Sequence, residues 1–579
     1  MEEIKAIHVT INDDGTTSNG SIFSAIDDEN FYLDYIKYTV KEGHLIVSGH
    51  GKKDYIIKVN IASSITYKGN TYEVLEVDNA AFRGCSSLTS INIPNGVTRI
   101  GPWAFSDCDS LTSITIPDSV TSIEDGAFLL CSSLTSINIP NGVTRIDKRV
   151  FSVCSSLTSI TIPDSVTSIG DGAFHRCDSL TSVNIPESVT SIGEDAFCEC
   201  SSLTSISLPE SVTSIGVSAF EDCYSLTFID LPGVTSIGDY AFQRCHALTS
   251  ITIPKSTKKI ESEVFTECSS LASITVAEGN PVYDSRENCN AIIETASNKL
   301  IAGCQGTIIP DGVTSIGYAA FRGTSLKSIV IPSSVTRIYR DAFEDCSSLT
   351  SISISNGVTE IGNGVFNGCS SLTSINIPES VTEIRSIGNS VFNGCSSLTS
   401  ITVSEGNPVY DSRENCKAII ETASNTLIEG CMKTIIPKSV TSIRHYAFSG
   451  CFSLTSINIP ESVTEIGNGV FMDCYSLTSI NIPESVTEIG NGVFMYCYSL
   501  TSINIPENVT LMGNSAFEGC SSLTTVICRA ENLPRLFDRT VFSGVPQSEA
   551  TLYVPASALE AYKAAGQWNR FGTILPIEE

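Results

Sequence analysis

Apolar and polar positions follow a fixed cassette along most of the chain. From Cys85 it reads C-S-S-L-T-S-I-x-I-P-x-S-V-T-x-I-G-x-x-A-F-x-x, and the cysteine returns at Cys108, Cys131, Cys154, Cys177, Cys200 and Cys223, every 23 residues. A period of 20–50 residues is the signature of stacked supersecondary units, each burying its apolar face against its neighbours. Within the cassette, L-T-S-I-x-I alternates apolar-in with polar-out, which predicts a strand. The proline that follows ends it, having no N–H for a ladder. V-T-x-I-G predicts a second short extended side. A-F-x-x-C predicts a single helical or 3₁₀ turn returning the chain, with alanine, phenylalanine and cysteine pointing inward.

The cassette phenylalanine marks the coils at Phe82, Phe105, Phe128, Phe151, Phe174, Phe197, Phe220, Phe242 and Phe265, again at Phe321, Phe343, Phe366 and Phe392, and at Phe448, Phe471, Phe494 and Phe517. One residue is lost near Pro232-Gly233 and three are added at Arg385-Ser386-Ile387; such slips belong in turns, where added length costs little. Two segments, 277–322 and 404–449, break the rhythm alike, and 278–289 is identical to 405–416. Both continue A-I-I-E-T-A-S-N and then L-I, which predicts a β-hairpin and implies duplication of a block. Residues 1–60 carry strand patterns such as Tyr35-Ile36-Lys37-Tyr38-Thr39-Val40. At the other end, Thr551-Leu552-Tyr553-Val554 predicts a last strand, and 556–567 an amphipathic helix whose Leu559 and Tyr562, with Trp568, cover the final coil.

The cassette is similar to the BspA-like, or Treponema-type, leucine-rich repeats, whose pattern is close to L-x-x-I-x-L-P-x-x-L-x-x-I-G-x-x-A-F-x-x-C. Seventeen near-copies carry the resemblance over about residues 61–546. The Tyr67-Lys68-Gly69-Asn70-Thr71-Tyr72 lead-in and the Tyr553-Val554-Pro555 end also look like caps of bacterial members. The expected fold is a β-rich α/β solenoid, a curved right-handed leucine-rich-repeat stack of 23-residue coils. A small N-terminal β cap (1–60) precedes the repeats (61–546, with the two enlarged hairpin-bearing coils), and a strand-helix cap (547–579) follows them. The resemblance implies a non-enzymatic surface or secreted protein binding host matrix or plasma proteins, other microbes or glycans. The family has no fixed binding-residue motif, so no site residue carries over.

Charge narrows the partners. The chain has 34 Lys+Arg against 63 Asp+Glu, a formal net charge of −29. Nucleic acid and anionic lipid need a basic footprint that is missing here, and the acidity reads as solubility. No apolar stretch approaches the about 20 residues of a membrane-spanning helix. Residues 1–5 lack the basic and apolar regions of a signal peptide, which leaves an intracellular interaction scaffold as the alternative to a cell-surface or secreted adhesin. A monomer is expected.

Chemistry is sparse. The 22 cysteines would stack in a column with parallel side chains about 4.8 Å apart, unsuited to disulfides. Zinc sites need close pairs, and the one near pair is Cys198 and Cys200. Buried, unreactive thiols are expected. The six histidines show no His-Glu-x-x-His spacing, and His175 and His246 read as solvated turn residues. The 284–288 and 411–415 segments read as hairpin-leading loops in preference to calcium loops. A hydrolytic activity in the N-terminal 60 residues would need an acid/base pair that is not found. No catalytic residue, metal site or cofactor is expected.

Binding is expected on the strand face and its edges. Outward positions hold serine first (Ser90, Ser113, Ser136, Ser159) and asparagine or threonine second (Asn92, Thr115, Asn138, Thr161). One coil departs, with Phe228 and Asp230 at these places; an exposed aromatic there is a hot-spot candidate. Phe452, Tyr475 and Tyr498 directly follow the cysteine in three consecutive coils. They are expected to stack about 5 Å apart as an aromatic ladder, with Met472, Met495 and Tyr496 nearby, suited to a protein or sugar ligand.

Overall fold

A computed structural model describes residues 7–51, 56–385 and 390–578. Residues 1–5 and the inserted Ser386 and Ile387 lie outside the described residues. The chain divides into two compact units, Met1–Ser285 and Arg286–Glu579.

The first unit opens with an antiparallel meander of Phe23–Ala25, Asn30–Leu33, Ile36–Lys41 and His44–His50. Its last strand pairs in parallel with Asn70–Val77. That strand forms a tight hairpin with Ser64–Tyr67, turned by Lys68 and Gly69 at φ of 50° and 77°, the left-handed pair that a two-residue hairpin requires. Asn70–Val77 also pairs with Arg99–Ile100, joining the meander to the coils. From there the L-T-S-I-x-I strands form a parallel ladder in which equivalent cassette residues face each other: Ser136↔Ser159, Ile160↔Val183, Ser182↔Ser205 and Ser205↔Phe228. Their burial alternates exposed, buried, exposed. The V-T-x-I-G segments make the second side as two-residue strands, Ser191–Ile192, Ser214–Ile215, Ser236–Ile237 and Lys259–Ile260.

The return side is not helical, contrary to the expectation from A-F-x-x-C. From the Phe82 coil to the Phe265 coil the residue two before phenylalanine and the residue before cysteine adopt left-handed backbone, as at Gly126 and Leu130 (φ 61° and 62°). Amides there alternate. Leu129 N–H closes a turn on Gly126 O (3.0 Å), whereas Phe128 and Leu130 N–H donate to Val150 and Ser152 O of the next coil (both 2.9 Å). A helix would turn all its amides onto its own carbonyls; alternation lets this side bond to its neighbour as a sheet does.

Inside, the phenylalanines form one file. Rings from Phe82 to Phe265 stack with centroids 5.2–5.7 Å apart. The polar cassette residues tie coil to coil. Cys131, Cys154 and Cys177 Sγ donate to the carbonyls of Phe105, Phe128 and Phe151 (each 3.2 Å). Thr158 and Thr181 Oγ1 donate to Thr135 and Thr158 O, and Ser165 Oγ to Val143 O (2.6 Å). All 22 cysteines are free thiols, and all but Cys451 are buried. Burial pushes the Cys154 and Cys200 thiols up to about 12.

The second unit repeats these devices, with ring files from Phe321 to Phe392 and from Phe448 to Phe542. Each enlarged coil carries an antiparallel hairpin, Ala291–Glu294 with Lys299–Gly303 and Ile419–Glu421 with Thr426–Glu429. The returning strand then pairs in parallel with the next coil, at Ser315–Ile316 or Ser442–Ile443. At Gly303 and Gly430 the backbone runs across a phenylalanine ring; an added Cβ would lie 2.1 Å from Cε1 of Phe321 or Phe448. The second hairpin ends on a buried acid. Glu429 accepts hydrogen bonds from the Ser390 hydroxyl and from Val391 N–H (3.1 Å), and burial raises its carboxyl to about 7.

At the C-terminal end the strand Thr551–Val554 pairs with Thr525–Cys528 and also with Thr573–Pro576, a final strand the sequence reading does not anticipate. The α-helix is shorter than the 556–567 pattern, spanning Leu559–Ala564. It buries Tyr562, whose hydroxyl donates to Ala530 O (2.9 Å), and Trp568 meets Phe542 edge-on at 5.6 Å.

Candidate binding surface

The strand face of the first unit is a ribbon of serine, threonine and asparagine interrupted at Phe228–Asp230. Phe228 is 54% exposed, standing beside Ser205 of the preceding coil. Asp230 is exposed on the same face, its carboxylate accepting the Leu231 amide (2.9 Å). Ile229, between them, is buried. A large ring thus projects from an otherwise small-residue surface because the alternation that buries Ile229 leaves it no inward path.

The residues after the cysteine project from the edge of the coil. In the second unit Phe452 and Tyr475 stack with centroids 4.8 Å apart and planes at 6°, and Tyr475 and Tyr498 at 5.2 Å and 26°. Tyr496 tilts against Tyr498 at 5.9 Å. Backbone bonds set this spacing: Ser476 and Ser499 N–H donate to Phe452 and Tyr475 O (both 3.2 Å). Tyr475 and Tyr498 are 38% and 44% exposed, and Phe452 and Tyr496 are half-buried. Partial desolvation and the nearby Asp473 carboxylate raise the Tyr475 phenol. The structure brings these four aromatics together; Phe228 and Asp230 belong to the other unit.

Sequence reasoning misses three features. Tyr224 and His246 occupy the same post-cysteine position in the first unit and stack at 5.4 Å, so His246 is a ring partner with its Nδ1 2.8 Å from Glu267 O. Ile308, Val330 and Ile435 are 74%, 62% and 69% exposed, taking the outward strand position that elsewhere holds asparagine or threonine. Ile308 and Val330 line a shallow depression of about 540 Å³, and Ile435 lines another of about 910 Å³. Aligning Thr307-Ile308-Ile309-Pro310 on the cassette proline would have revealed the first. Third, His175 is held between Ser152 and Glu199. In the hairpin-leading loop, Arg413 grips Asp411 (Nε 2.8 and 3.0 Å from its two oxygens) and reaches Asn425 in the turn (2.9 Å), an ordinary loop clasp.

Parallel coils, a buried aromatic file and an outward polar ribbon define a leucine-rich-repeat solenoid, an architecture suited to binding proteins and typically non-catalytic. Residues 75–204, 190–292, 299–416 and 427–545 match the BspA type leucine rich repeat region, and the chain belongs to that family. Among solved structures it is similar to a leucine rich cell surface protein from Faecalibacterium prausnitzii, at 28% identity and a TM-score of 0.43 over 77% of this chain and 96% of that one. A leucine-rich repeat protein from Bacteroides ovatus is 27% identical, with a TM-score of 0.32 over 95% and 100%. The T. pallidum leucine-rich repeat protein is 26% identical, with a TM-score of 0.23 over 41% and 88%. No curated protein matches. Among the described residues no helix is long and apolar enough to cross a membrane.

Proposed function

We infer that the chain is a non-catalytic adhesion scaffold, displayed at a cell surface or secreted, which recognises a protein or glycan such as a host matrix component. The Phe452–Tyr475–Tyr498 file, exposed at its two tyrosines, carries this reading. Stacked rings present their edges at fixed spacing, with a hydroxyl on each of the two tyrosines, and a rigid surface loses little entropy on binding. A glycan and matrix-protein array probed with the full chain identifies the ligand class. Against that ligand, Tyr475→Ala with Tyr498→Ala weakens affinity at least about tenfold while the thermal melt holds. Phe228→Ser with Asp230→Ser, which restores the residues of the neighbouring coil, tests the second position alike. Unchanged affinity in both variants refutes the reading.

A further inference from the structure

We propose that His175, Cys198 and Glu199 form a binding site for a divalent ion of the zinc class. Cys198 is the one cysteine outside the cassette column before the enlarged coils. It sits 23 residues after His175, at the position following the phenylalanine, so the stack sets the two side chains on adjacent coils one strand spacing apart, about 4.8 Å. The nitrogen, sulfur and carboxylate oxygen of the three residues all lie within 4.8 Å of one another. His175 Nε2 is already 3.5 Å from Glu199 Oε1. Donors bound at 2.0–2.3 Å around a tetrahedral zinc stand about 3.3–3.6 Å apart, so the imidazole and carboxylate are at ligand separation and the thiol needs to approach by no more than about 1 Å.

The surroundings direct each donor. The Ser152 hydroxyl lies 3.5 Å from His175 Nδ1, the second-shell arrangement that turns Nε2 toward a metal. Arg176 Nε holds the other carboxylate oxygen of Glu199 at 3.3 Å, leaving Oε1 to the site. The column thiols from Cys108 to Cys268 each donate to a phenylalanine carbonyl, as Cys200 does to Phe174 O; among the described residues Cys198 Sγ makes no such bond. Arg244 pairs with Glu221 and Asp222. A dication bound here displaces the thiol proton to solvent. An imidazole, a thiolate and one carboxylate suit Zn²⁺ or Co²⁺ and exclude Ca²⁺ and Mg²⁺, which take all-oxygen shells. Glu199 and His175 side chains are 43% and 30% exposed, so a fourth position opens to solvent.

The test is anaerobic titration of the reduced full chain with Co²⁺, followed by Zn²⁺ competition. Expected is one equivalent of Co²⁺ with a thiolate-to-cobalt charge-transfer band that Zn²⁺ abolishes, and an affinity that rises about tenfold per pH unit while one thiol proton is released. Cys198→Ser and Cys198→Ala lose the band, and His175→Gln and Glu199→Gln each weaken binding at least tenfold, with unchanged circular dichroism. No band in the parent chain, or a band that survives both Cys198 variants, overturns the proposal.

Discussion

Glu429→Gln isolates the effect of a single buried acid on the stability of the second hairpin. In the duplicated hairpin the same position, 127 residues earlier, is Ala302. The Glu429 carboxyl is 1% exposed and titrates at about 7 against an ordinary 4.5, because burial outweighs the bonds from Ser390 and Val391 and the field of Arg444. A folded value above the unfolded one means the fold holds the proton more tightly. The stabilisation is therefore complete below pH 4.5 and is lost as pH rises through 7, at about 1.4 kcal/mol per pH unit and about 3 kcal/mol in all. Glutamine keeps the shape and stays neutral. Its oxygen accepts the Val391 amide, and the Ser390 hydroxyl rotates to accept from its NH₂. Urea denaturation of both chains from pH 4 to 8 reads the difference. The variant matches the parent near pH 4.5 and gains about 3 kcal/mol over it by pH 8. The rest of the −29 charge is common to both chains and cancels. Parallel curves across that window would refute a neutral buried carboxyl.

Gly430→Ala drives a methyl into the Phe448 ring and costs about 1–3 kcal/mol by forced repacking, read as a lowered melting temperature; an unchanged melt would show that the strand can lift away. The column thiols should resist a thiol-reactive dye at pH 8 in the native chain, since burial holds Cys154 and Cys200 near 12, and react fully in guanidinium. Rapid native labelling of more than the few thiols off the column or less buried would contradict the packing.

The coil was legible because its determinants recur at every turn: alternating leucine and isoleucine set the strand, proline ended it, and phenylalanine marked the seam. The return side was not. Leu130, Val153 and Arg176 adopt φ near 60°, and no property of their side chains announces left-handed backbone; the inter-coil bonds impose it. At the surface, Phe228 stood out from strand alternation alone. Ile308 and Ile435 escaped notice because the enlarged coils displace the cassette alignment at those positions. His175 and Cys198 escaped for a related reason: metal-spacing rules count residues along the chain, whereas a solenoid makes neighbours of residues one whole turn apart.

The coil-to-coil donations of the cassette cysteine, threonine and serine share one sense, as Cys177, Thr181 and Ser188 each reach back to a carbonyl of the preceding turn. The stack therefore has a polarity, like courses of brick laid in one direction. A chain shortened or lengthened by complete turns keeps these cassette thiols and hydroxyls matched to their acceptors, while a cut through half a turn strands a whole set of them. Copying the 127-residue block respects that arithmetic, since each enlarged turn enters and leaves at equivalent rungs. Length is the property such a molecule can change most cheaply.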